Sequence, residues 1–555
     1  MKLNGSDIIA EVLIEQGVDT IFGYPGGAVL NIYDALYKYR DKIHHILTAH
    51  EQGASHAADG YARATGKTGV VIATSGPGAT NLVTGIATAY MDSIPMVAIT
   101  GNVGTSYIGK DAFQEVYITG ITMPITKHNF FVSDIKELAP TLREAFKIAN
   151  SGRKGPVLVD IPKDVTAAIT EYEKAAPEVI IDNTVINEDE VKKAAALINK
   201  AKRPVIEIGG GVVSSEASDL VRMLVNKTGA PCCHTLMAAG VLGYSEKLNY
   251  GLVGMHGSFV TNKAIDEADV LVAIGTRFSD RVALNTNRFA HKAKVIQIDI
   301  DLSEIDKNVK VDHALVGDVK TIVMDLLHYV KQSDRTDWLK TLDEYKNSDY
   351  HPVDSDKFIT PHQLIRAICE NVPKDTVYVT DVGQHQMWAA QFFKVYKPRH
   401  FLTSGGQGTM GYGLPAAMGA KVGCPDTPVV LFTGDGSIMM NCQEFATIAD
   451  NDIDVKVVVI RNEILGMVGQ WQRLFYNHHY SQSELKGKTD LVKLAEAMGV
   501  KGYRLTKKEE LETRLPEILA EKGAVLIDVV IPEEEDVLPM VPGGKRLDQM
   551  VLGYL

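Results

Sequence analysis

The chain has 555 residues, which at about 150 residues per domain predicts three or four domains. The net charge of −12, with 45% apolar and 23% charged residues, is typical of a soluble globular protein and argues against nucleic acid as the main partner. Because the sequence has neither a stretch of about 18 apolar residues nor the apolar segment of a signal peptide, we expect a cytoplasmic protein with no membrane partner.

The five cysteines are too few and too scattered in a chain of this length to form a disulfide framework. Cys232 and Cys233 are adjacent and are followed by His234, a spacing that does not suit a zinc site. The others are far apart in the chain. We therefore expect buried thiols in a reducing cytosol.

The first block of the sequence alternates β-branched runs with helical patterns as far as about Pro162. A predicted strand at residues 70–74 leads into a Ser-Gly-Pro-Gly turn and a helical stretch, and residues 96–102 form the next strand. This alternation is typical of a parallel α/β domain. The Pro- and Glu-bearing stretch of residues 170–187 is predicted to be a linker.

The second block begins with a predicted buried strand at residues 203–208 that runs into three glycines, Gly209 to Gly211. A glycine triplet alone is weak evidence for a dinucleotide site, but its position after a strand supports one. The block ends near Val330. A polar, charged stretch over residues 331–357 separates it from the third block.

The third block, residues 360–532, repeats the pattern of the first. A predicted strand leads into Gly-Asp-Gly-Ser, and Asp435 stands 27 residues before Asn462, as Ser75 stands before Asn102. The match indicates a duplication, although chance is a competing explanation because all α/β folds repeat such units. The predicted fold class is α/β, with three doubly wound parallel-sheet domains.

The Gly434–Ser437 turn is the strongest chemical signal. A glycine turn between strand and helix lets backbone N–H groups approach a phosphate. Asp435 does not suit direct contact with a phosphate but suits a Mg²⁺ ion beside one. Asn462, at the end of the next parallel strand, can reach the same crevice. The alternative is an ordinary Asp-Gly turn and an Asn helix cap.

Two further turns at predicted strand ends, residues 383–386 and 404–413, lie in the same block. Together with the Gly-Asp-Gly and Asn motif, they resemble the diphosphate-binding domain of thiamine diphosphate enzymes. Such enzymes carry a Glu after an early strand, beside the aminopyrimidine ring, and Glu51 occupies that position in the first block. Its alternative role is to stabilise a helix N-terminus.

Within these enzymes the chain resembles the acetohydroxyacid synthase (acetolactate synthase) family of catalytic subunits. The matching segments are residues 24–28, 50–53, 111–115, 383–388, 466–472 and 540–544. The resemblance implies a thiamine diphosphate-binding fold with a central Rossmann-like domain. Its expected parts are a pyrimidine-binding domain (1–168), a central FAD-binding domain (188–335), a diphosphate- and Mg²⁺-binding domain (358–535) and a C-terminal tail or lid (536–555).

The resemblance also implies roles for individual residues. Glu51 would hydrogen-bond the aminopyrimidine ring as an acid–base partner of the cofactor. The expected catalytic residues are Glu51, Gly27, Gln114 and Lys163, and the expected Mg²⁺ ligands are Asp435, Asn462 and the carbonyl of Ile464. Thiamine diphosphate would be held by Gln384, His385, Gly408, Met410, Gly436, Ser437, Leu465, Gly466 and Met467.

FAD is expected in the central domain, in a structural role, because the net reaction transfers no electrons. Its expected contacts are Arg153, Gly209, Gly210, Gly211, Met255, His256, Gly257, Arg277, Asp299, Asp318 and Val319. Arg281 would bind the carboxylate of the acceptor, unless it only forms an ion pair with Asp280. Phe113 and Trp471 would shape the substrate pocket, where an extra methylene is worth about 1–3 kcal/mol.

The implied reaction decarboxylates pyruvate and transfers the two-carbon unit to a second 2-oxo acid in branched-chain amino acid biosynthesis. The acceptor would be pyruvate or 2-oxobutyrate, giving 2-acetolactate or 2-aceto-2-hydroxybutyrate. Alternatives are a catabolic, FAD-independent acetolactate synthase, a simple 2-oxo acid decarboxylase and a non-catalytic binding paralogue. The family further implies a homodimer or tetramer with the cofactor between two subunits, and allows a small regulatory subunit.

Five residues depart from the family pattern, and none of them replaces a residue with a direct chemical role. They are Ala49 for Arg, Gly104 for Pro, Ser279 for Asp, Gln407 for an apolar residue and Arg461 for Asn. The acidic run at residues 533–536 is predicted to be a solvated turn.

Overall fold

Continuous apolar runs form the central strands of the molecule. In the computed structural model, which describes residues 1–180, 182, 184–347 and 350–552, these runs are buried throughout. Strands that are apolar on both faces belong inside parallel sheets covered by helices. The described residues form three such sheets of six parallel strands each, which confirms the predicted fold class.

The first domain is built on a sheet of order β3-β2-β4-β5-β7-β6, with β1 and β8 forming a separate antiparallel pair. Its strands are β1 (Lys2–Asn4), β2 (Thr20–Tyr24), β3 (His44–Leu47), β4 (Gly69–Ala73), β5 (Met96–Asn102), β6 (His128–Phe131), β7 (Pro156–Pro162) and β8 (Ile169–Glu171). Its helices are α1 (Gly5–Glu15), α2 (Leu30–Lys38), α3 (Glu51–Thr65), α4 (Pro77–Asn81), α5 (Val83–Met91), α6 (Ile118–Thr122), α7 (Ile135–Asn150) and α8 (Lys163–Ala167).

The central domain has the sheet order β11-β10-β9-β12-β13-β14, which is the Rossmann order. Its strands are β9 (Pro204–Ile208), β10 (Cys232–His234), β11 (Asn249–Leu252), β12 (Val270–Ile274), β13 (Lys294–Asp299) and β14 (His313–Val316). Its helices are α9 (Glu188–Lys200), α10 (Gly210–Ser214), α11 (Ser218–Thr228), α12 (Phe259–Glu267), α13 (Val319–Tyr329) and α14 (Thr336–Asn347).

The third domain has the sheet order β16-β15-β17-β18-β20-β19. Its strands are β15 (Val377–Thr380), β16 (Phe401–Leu402), β17 (Val429–Gly434), β18 (Val455–Arg461), β19 (Lys501–Leu505) and β20 (Val525–Val530). Its helices are α15 (Pro361–Asn371), α16 (Gln384–Phe392), α17 (Gly413–Gly423), α18 (Asp435–Ile438), α19 (Glu444–Asp450), α20 (Gly466–Phe475), α21 (Leu491–Ala497), α22 (Glu510–Thr513) and α23 (Leu515–Leu519).

The first and third sheets have the same strand order when each is numbered from its own first parallel strand. An identical order is what a duplication predicts. The two domains meet through α3 and α17, whose backbones approach closely at small residues. A Cβ atom at Gly60 would lie 2.2 Å from the carbonyl oxygen of Ala416, so a larger residue would force the helices apart.

Two connecting segments differ from the sequence prediction. The predicted linker starts later than residue 170, because β8 pairs with β1 and the side chain of Tyr172 is buried. The stretch after Val330, predicted only as polar and charged, contains helix α14. Trp338 and Leu342 of this helix are buried against the central domain. The sequence did not indicate this helix, because most of its other residues are polar or charged.

Substitution of Trp338 should destabilise the central domain. The indole is 3% exposed, its Nε1 donates to the carbonyl oxygen of Pro204 at 3.2 Å, and Arg203 lies over the ring. Trp338→Ala is expected to lower the free energy of unfolding by about 3–5 kcal/mol, measured by urea denaturation. Lys340→Ala, on the exposed side of the same helix, is the control, with an expected change within about 0.5 kcal/mol. Equal effects of the two substitutions would contradict the packing role.

The segment after β20 packs on the body of the protein. Val537, Leu538, Met540 and Val541 are buried, and the N–H of Val541 donates to the carbonyl oxygen of Met255 at 2.8 Å. Movement of this tail as a lid stays a prediction, and its last three residues lie outside the described residues. Across the described chain, no helix combines the length and apolar character needed to span a membrane.

Candidate active site

Glu51 lies at the carboxyl edge of the first sheet, as the first residue of α3 after β3. The amide Nδ2 of Asn81 donates to Glu51 Oε2 at 3.0 Å. The other carboxylate oxygen lies 3.2 Å from the position that a Cβ atom would take at Gly78. The carboxylate therefore lies against α4, beside Gly78 and Asn81.

The other predicted first-domain residues lie on loops at the same edge. Gln114 contacts Gly76, in the loop after β4, and Lys163 opens α8 directly after β7. Gly27 follows β2 with an open space above its Cα, and the Phe113 side chain is 89% exposed. The parallel strands thus gather all five residues at one edge, on the surface of this chain.

Asp435 lies at the carboxyl edge of the third sheet, after β17. Its carboxylate accepts hydrogen bonds from the backbone N–H groups of Glu463 at 2.8 Å and Gly436 at 3.0 Å. Burial raises the pKa of this carboxyl to about 6, because the two N–H donors and Arg461 only partly offset the loss of water. Asn462, after β18, donates from Nδ2 to Gln384 Oε1 at 3.2 Å.

This arrangement fits a divalent cation. A cation beside Asp435 would keep the buried carboxylate ionised, and the amide oxygen of Asn462 and the carbonyl of Ile464 follow in the next loop. No group of three or more His, Cys, Asp or Glu side chains forms a metal site in the described chain. Oxygen ligands from one carboxylate, one amide and one backbone carbonyl suit Mg²⁺ rather than a softer metal.

The loops around Asp435 also fit a diphosphate. Gln384 opens α16, a helix N-terminus that favours an anion. His385 is buried, which lowers its pKa to about 3, and its Nε2 has no hydrogen-bond partner among the described residues. The Ser437 hydroxyl donates to the carbonyl oxygen of Val382 at 2.9 Å, and a Cβ atom at Gly436 would collide with Leu465.

A cavity of about 1830 Å³ lies where the central domain meets the first and third domains. It exceeds the ~300–1000 Å³ of ordinary small-molecule pockets and has room for a dinucleotide. The predicted FAD contacts that line it are Arg153, Gly209, Gly210, Gly211, Met255, His256, Arg277, Asp299, Asp318 and Val319. From the other predicted sets, Gly408, Met410, Met467, Arg281 and Trp471 also line it.

The remaining predicted residues stand outside this cavity. Within the described parts of the chain, the lining does not include Gly27, Glu51, Phe113, Gln114 or Lys163, and Gly257 is instead buried against Gly254. The lining also does not include Asp435, Asn462 or Ile464, nor Gln384 or His385. One chain therefore has three separate features: the loops at the carboxyl edge of the first sheet, the loops at the carboxyl edge of the third sheet, and a cavity large enough for a dinucleotide.

Arg153 and Arg281, two charged residues at the cavity, have partners in the structure. The Arg153 guanidinium donates to Asp301 at 3.3 Å and Glu304 at 2.8 Å, which links the first and central domains. Burial raises the pKa of Asp299 to about 6. Arg281 both lines the cavity and pairs with Asp280 at 3.0 Å. Because both side chains of this pair are largely solvent-exposed, the pair contributes little to stability and leaves Arg281 able to bind an anion.

Three family models match the chain, one on each domain. They are described as the N-terminal TPP binding domain (residues 3–121), the central domain (residues 191–326) and the C-terminal TPP binding domain (residues 381–529) of thiamine pyrophosphate enzymes. Thiamine pyrophosphate is another name for thiamine diphosphate. The cofactor class predicted from the sequence is confirmed.

Similar proteins cover nearly the whole chain. The probable acetolactate synthase large subunit of Methanocaldococcus jannaschii is 47% identical, over 99% of this chain and 95% of that protein. The acetolactate synthase isozyme 2 large subunit of Escherichia coli is 44% identical, over 99% of both chains. The acetolactate synthase large subunit of Lactococcus lactis is 43% identical, over 99% of this chain and 96% of that protein.

The chain belongs to the acetolactate synthase family. Its departures from the acetolactate synthase pattern have structural explanations in part. Arg461 is buried and donates from Nε to both carboxylate oxygens of Asp528, at 3.0 and 3.1 Å, so it ties β18 to β20. Ser279 and Gln407 line the cavity. Nothing in the structure explains Gly104.

The structure also shows contacts of residues to which the acetolactate synthase resemblance assigned no role. Gln470 is fully buried, accepts from Gln384 Nε2 at 2.9 Å and donates to the carbonyl oxygen of Val537 at 3.2 Å. Arg473 pairs with the buried Asp536, so the prediction of a solvated acidic turn is wrong at that residue. These partners are 60 or more residues apart in sequence, and no local pattern could have indicated them.

Proposed function

We propose that this protein condenses two 2-oxo acids, decarboxylating pyruvate and joining the remaining two-carbon unit to pyruvate or 2-oxobutyrate. The products are 2-acetolactate and 2-aceto-2-hydroxybutyrate, and the role is branched-chain amino acid biosynthesis. One observation carries the proposal. Glu51 and the Asp435–Asn462 pair both lie at the carboxyl edges of sheets in a chain that acetolactate synthases match over 99% of its length.

The residues of the chain have separate tasks in this proposal. Glu51, held by Asn81, would hydrogen-bond the aminopyrimidine ring and serve as its acid–base partner. Asp435, Asn462 and the Ile464 carbonyl hold Mg²⁺, and the start of α16 with Gly436 and Ser437 holds the diphosphate. Thiamine diphosphate supplies a carbon nucleophile and an electron sink for the carbonyl chemistry.

The acceptor is bound near the third domain. Arg281 pairs with its carboxylate and Trp471 limits the space for its side chain. In a dimer, Gly27, Phe113, Gln114 and Lys163 of the second subunit surround the reacting carbon. Trp471 lines the cavity and its Nε1 has no partner among the described residues, so it is available for contact. The residues that line the cavity would hold FAD as a structural group. The volume and the Rossmann sheet order support this assignment.

A homodimer, or a tetramer of two dimers, completes the proposed site. Glu51 of one subunit serves the cofactor held by Asp435 of the other. Large apolar side chains are exposed on both halves, as expected of surfaces that are covered by a second copy. On the first domain they include Tyr24, Leu30, Tyr107, Phe113, Tyr117 and Met123, and on the third Met439, Met440, Val468, Phe475, Tyr476 and Leu485.

A smaller partner subunit is part of the proposal, because the relatives from M. jannaschii, E. coli and L. lactis are named large subunits. We propose that this subunit regulates the catalytic chain. Its binding would be tested by copurification with the product of a candidate small-subunit gene from the same genome.

The purified protein should convert pyruvate to acetolactate in the presence of thiamine diphosphate and Mg²⁺. Acetolactate is measured as acetoin after acid treatment, and flavin by its absorption band in the same sample. Acetaldehyde as sole product would indicate a simple decarboxylase. Acetolactate without bound flavin would indicate the catabolic form, and no turnover with cofactor bound would indicate a binding paralogue.

A further inference from the structure

Glu444, the first residue of α19 in the third domain, reaches across to the first domain. Its side chain is 0% exposed. Its Oε2 accepts a hydrogen bond from the backbone N–H of Ala49, and its Oε1 accepts one from the backbone N–H of His50, both at 3.1 Å. The Thr447 hydroxyl donates to Oε2 at 2.7 Å, which fixes the orientation of the carboxylate.

These contacts are made where α3 begins. Ala49 and His50 immediately precede Glu51, and the His50 side chain caps the helix by accepting from the N–H of Gln52 at 3.0 Å. A Cβ atom at Gly53 would lie 2.2 Å from Glu444 Oε1, so the glycine leaves room for the carboxylate against the first turn of α3. Glu444 therefore contacts the N-terminal end of α3 in the interior of the protein.

These contacts hold the Glu444 carboxylate beside the first turn of α3. A carboxylate beside the first turn of a helix is favoured by the free N–H groups there and by the helix dipole. Burial raises the pKa of the Glu444 carboxyl, while its three hydrogen bonds lower it. With both oxygens occupied by N–H and O–H donors, Glu444 is arranged to hold backbone rather than to contact a ligand.

We propose that Glu444 is a positioning residue for catalysis, which holds the start of α3 so that Glu51 stays hydrogen-bonded to Asn81 and aimed at the cofactor. The inference rests on the role proposed for Glu51. The third domain of a chain thus sets the acid–base group on the first domain of the same chain. In the proposed dimer, that group serves the cofactor held by the other subunit.

A double-mutant cycle tests whether Glu444 acts through Glu51. In the otherwise unchanged enzyme, Glu444→Gln should lower kcat on the order of 100-fold, because a displaced catalytic group loses its alignment. The KM for pyruvate should change by less than about threefold, since substrate binding is not involved. In enzyme that already carries Glu51→Gln, the same substitution should lower the residual rate by less than about twofold.

A second measurement needs no turnover. Amide hydrogen exchange of the protein without cofactor should become several-fold faster at residues 48–54 in Glu444→Gln, because the amide has only one oxygen to accept the two backbone N–H groups. The Ala49 N–H can also donate to Thr447 Oγ1 at 3.1 Å, so the largest change is expected at His50. Exchange in α17 and in the central domain should be unchanged. Glu444→Asp keeps the charge but shortens the reach, and it should recover part of both the activity and the protection.

Glu15→Gln is the matched control. Glu15 is also a buried carboxylate that accepts a backbone N–H, that of Ala175 at 2.9 Å, but it lies on α1 away from Glu51. Its substitution should leave kcat within about twofold. The inference is overturned if Glu444→Gln keeps full activity, or if it lowers the rate equally in both backgrounds. If the unchanged enzyme forms no acetolactate, the proposed function fails instead, and the exchange result still tests the contact.

Discussion

Glu51→Gln should lower turnover of pyruvate on the order of 1,000-fold while the fold and any bound flavin are retained. The amide has nearly the same shape as the carboxylate and can still bond to Asn81, but it cannot exchange a proton with the aminopyrimidine ring. The loss should therefore appear in kcat rather than in protein stability. Acetolactate formation, the flavin absorption band and the melting temperature measure the three quantities.

Gln52→Glu is a useful control for this substitution. It places a carboxylate one residue further along α3 and leaves Glu51 in place, so activity should fall far less. Combined with Glu51→Gln it should not restore turnover, because successive residues on a helix point in different directions. Unchanged turnover in Glu51→Gln alone would refute the proposed acid–base role.

Asp435→Asn should weaken Mg²⁺ binding on the order of 100-fold or more, since it removes the charged ligand of a site otherwise built from neutral oxygens. Activity should return only partly at high Mg²⁺ concentration. In the unchanged protein, Mg²⁺ affinity should fall as the pH drops through about 6, because protons then compete for the buried carboxylate. Titration of activity and of intrinsic fluorescence with Mg²⁺ measures both effects.

Glu463→Gln is the matched control for the metal site. Glu463 adjoins Asn462, and its backbone N–H donates to Asp435, but its side chain is largely exposed and pairs with Arg461 at 3.7 Å. Mg²⁺ affinity should therefore stay near that of the unchanged protein. Normal Mg²⁺ dependence in Asp435→Asn would rule out Asp435 as a ligand, and an equal loss in both variants would indicate a general charge effect.

Residues at strand ends were the most predictable part of the molecule. Asp435, Asn462 and Glu51 each follow a buried strand, and parallel strands place their carboxyl ends at one edge whatever packs around them. The sequence thus predicted the three sheets and the two edges. It did not predict α14, because the local sequence is polar and charged and does not show that Trp338 packs on an apolar surface of the central domain.

By itself, the sequence determined the fold class, the cofactor family and the local motifs, because strand–turn–helix chemistry depends on residues close together in the chain. Only the tertiary structure decided that Glu444 supports the helix of Glu51, that Gln384 meets Gln470 and that Arg153 bridges to Glu304. Each of these contacts joins residues more than 80 positions apart. Such partners are chosen by the packing of whole domains, which no local pattern encodes.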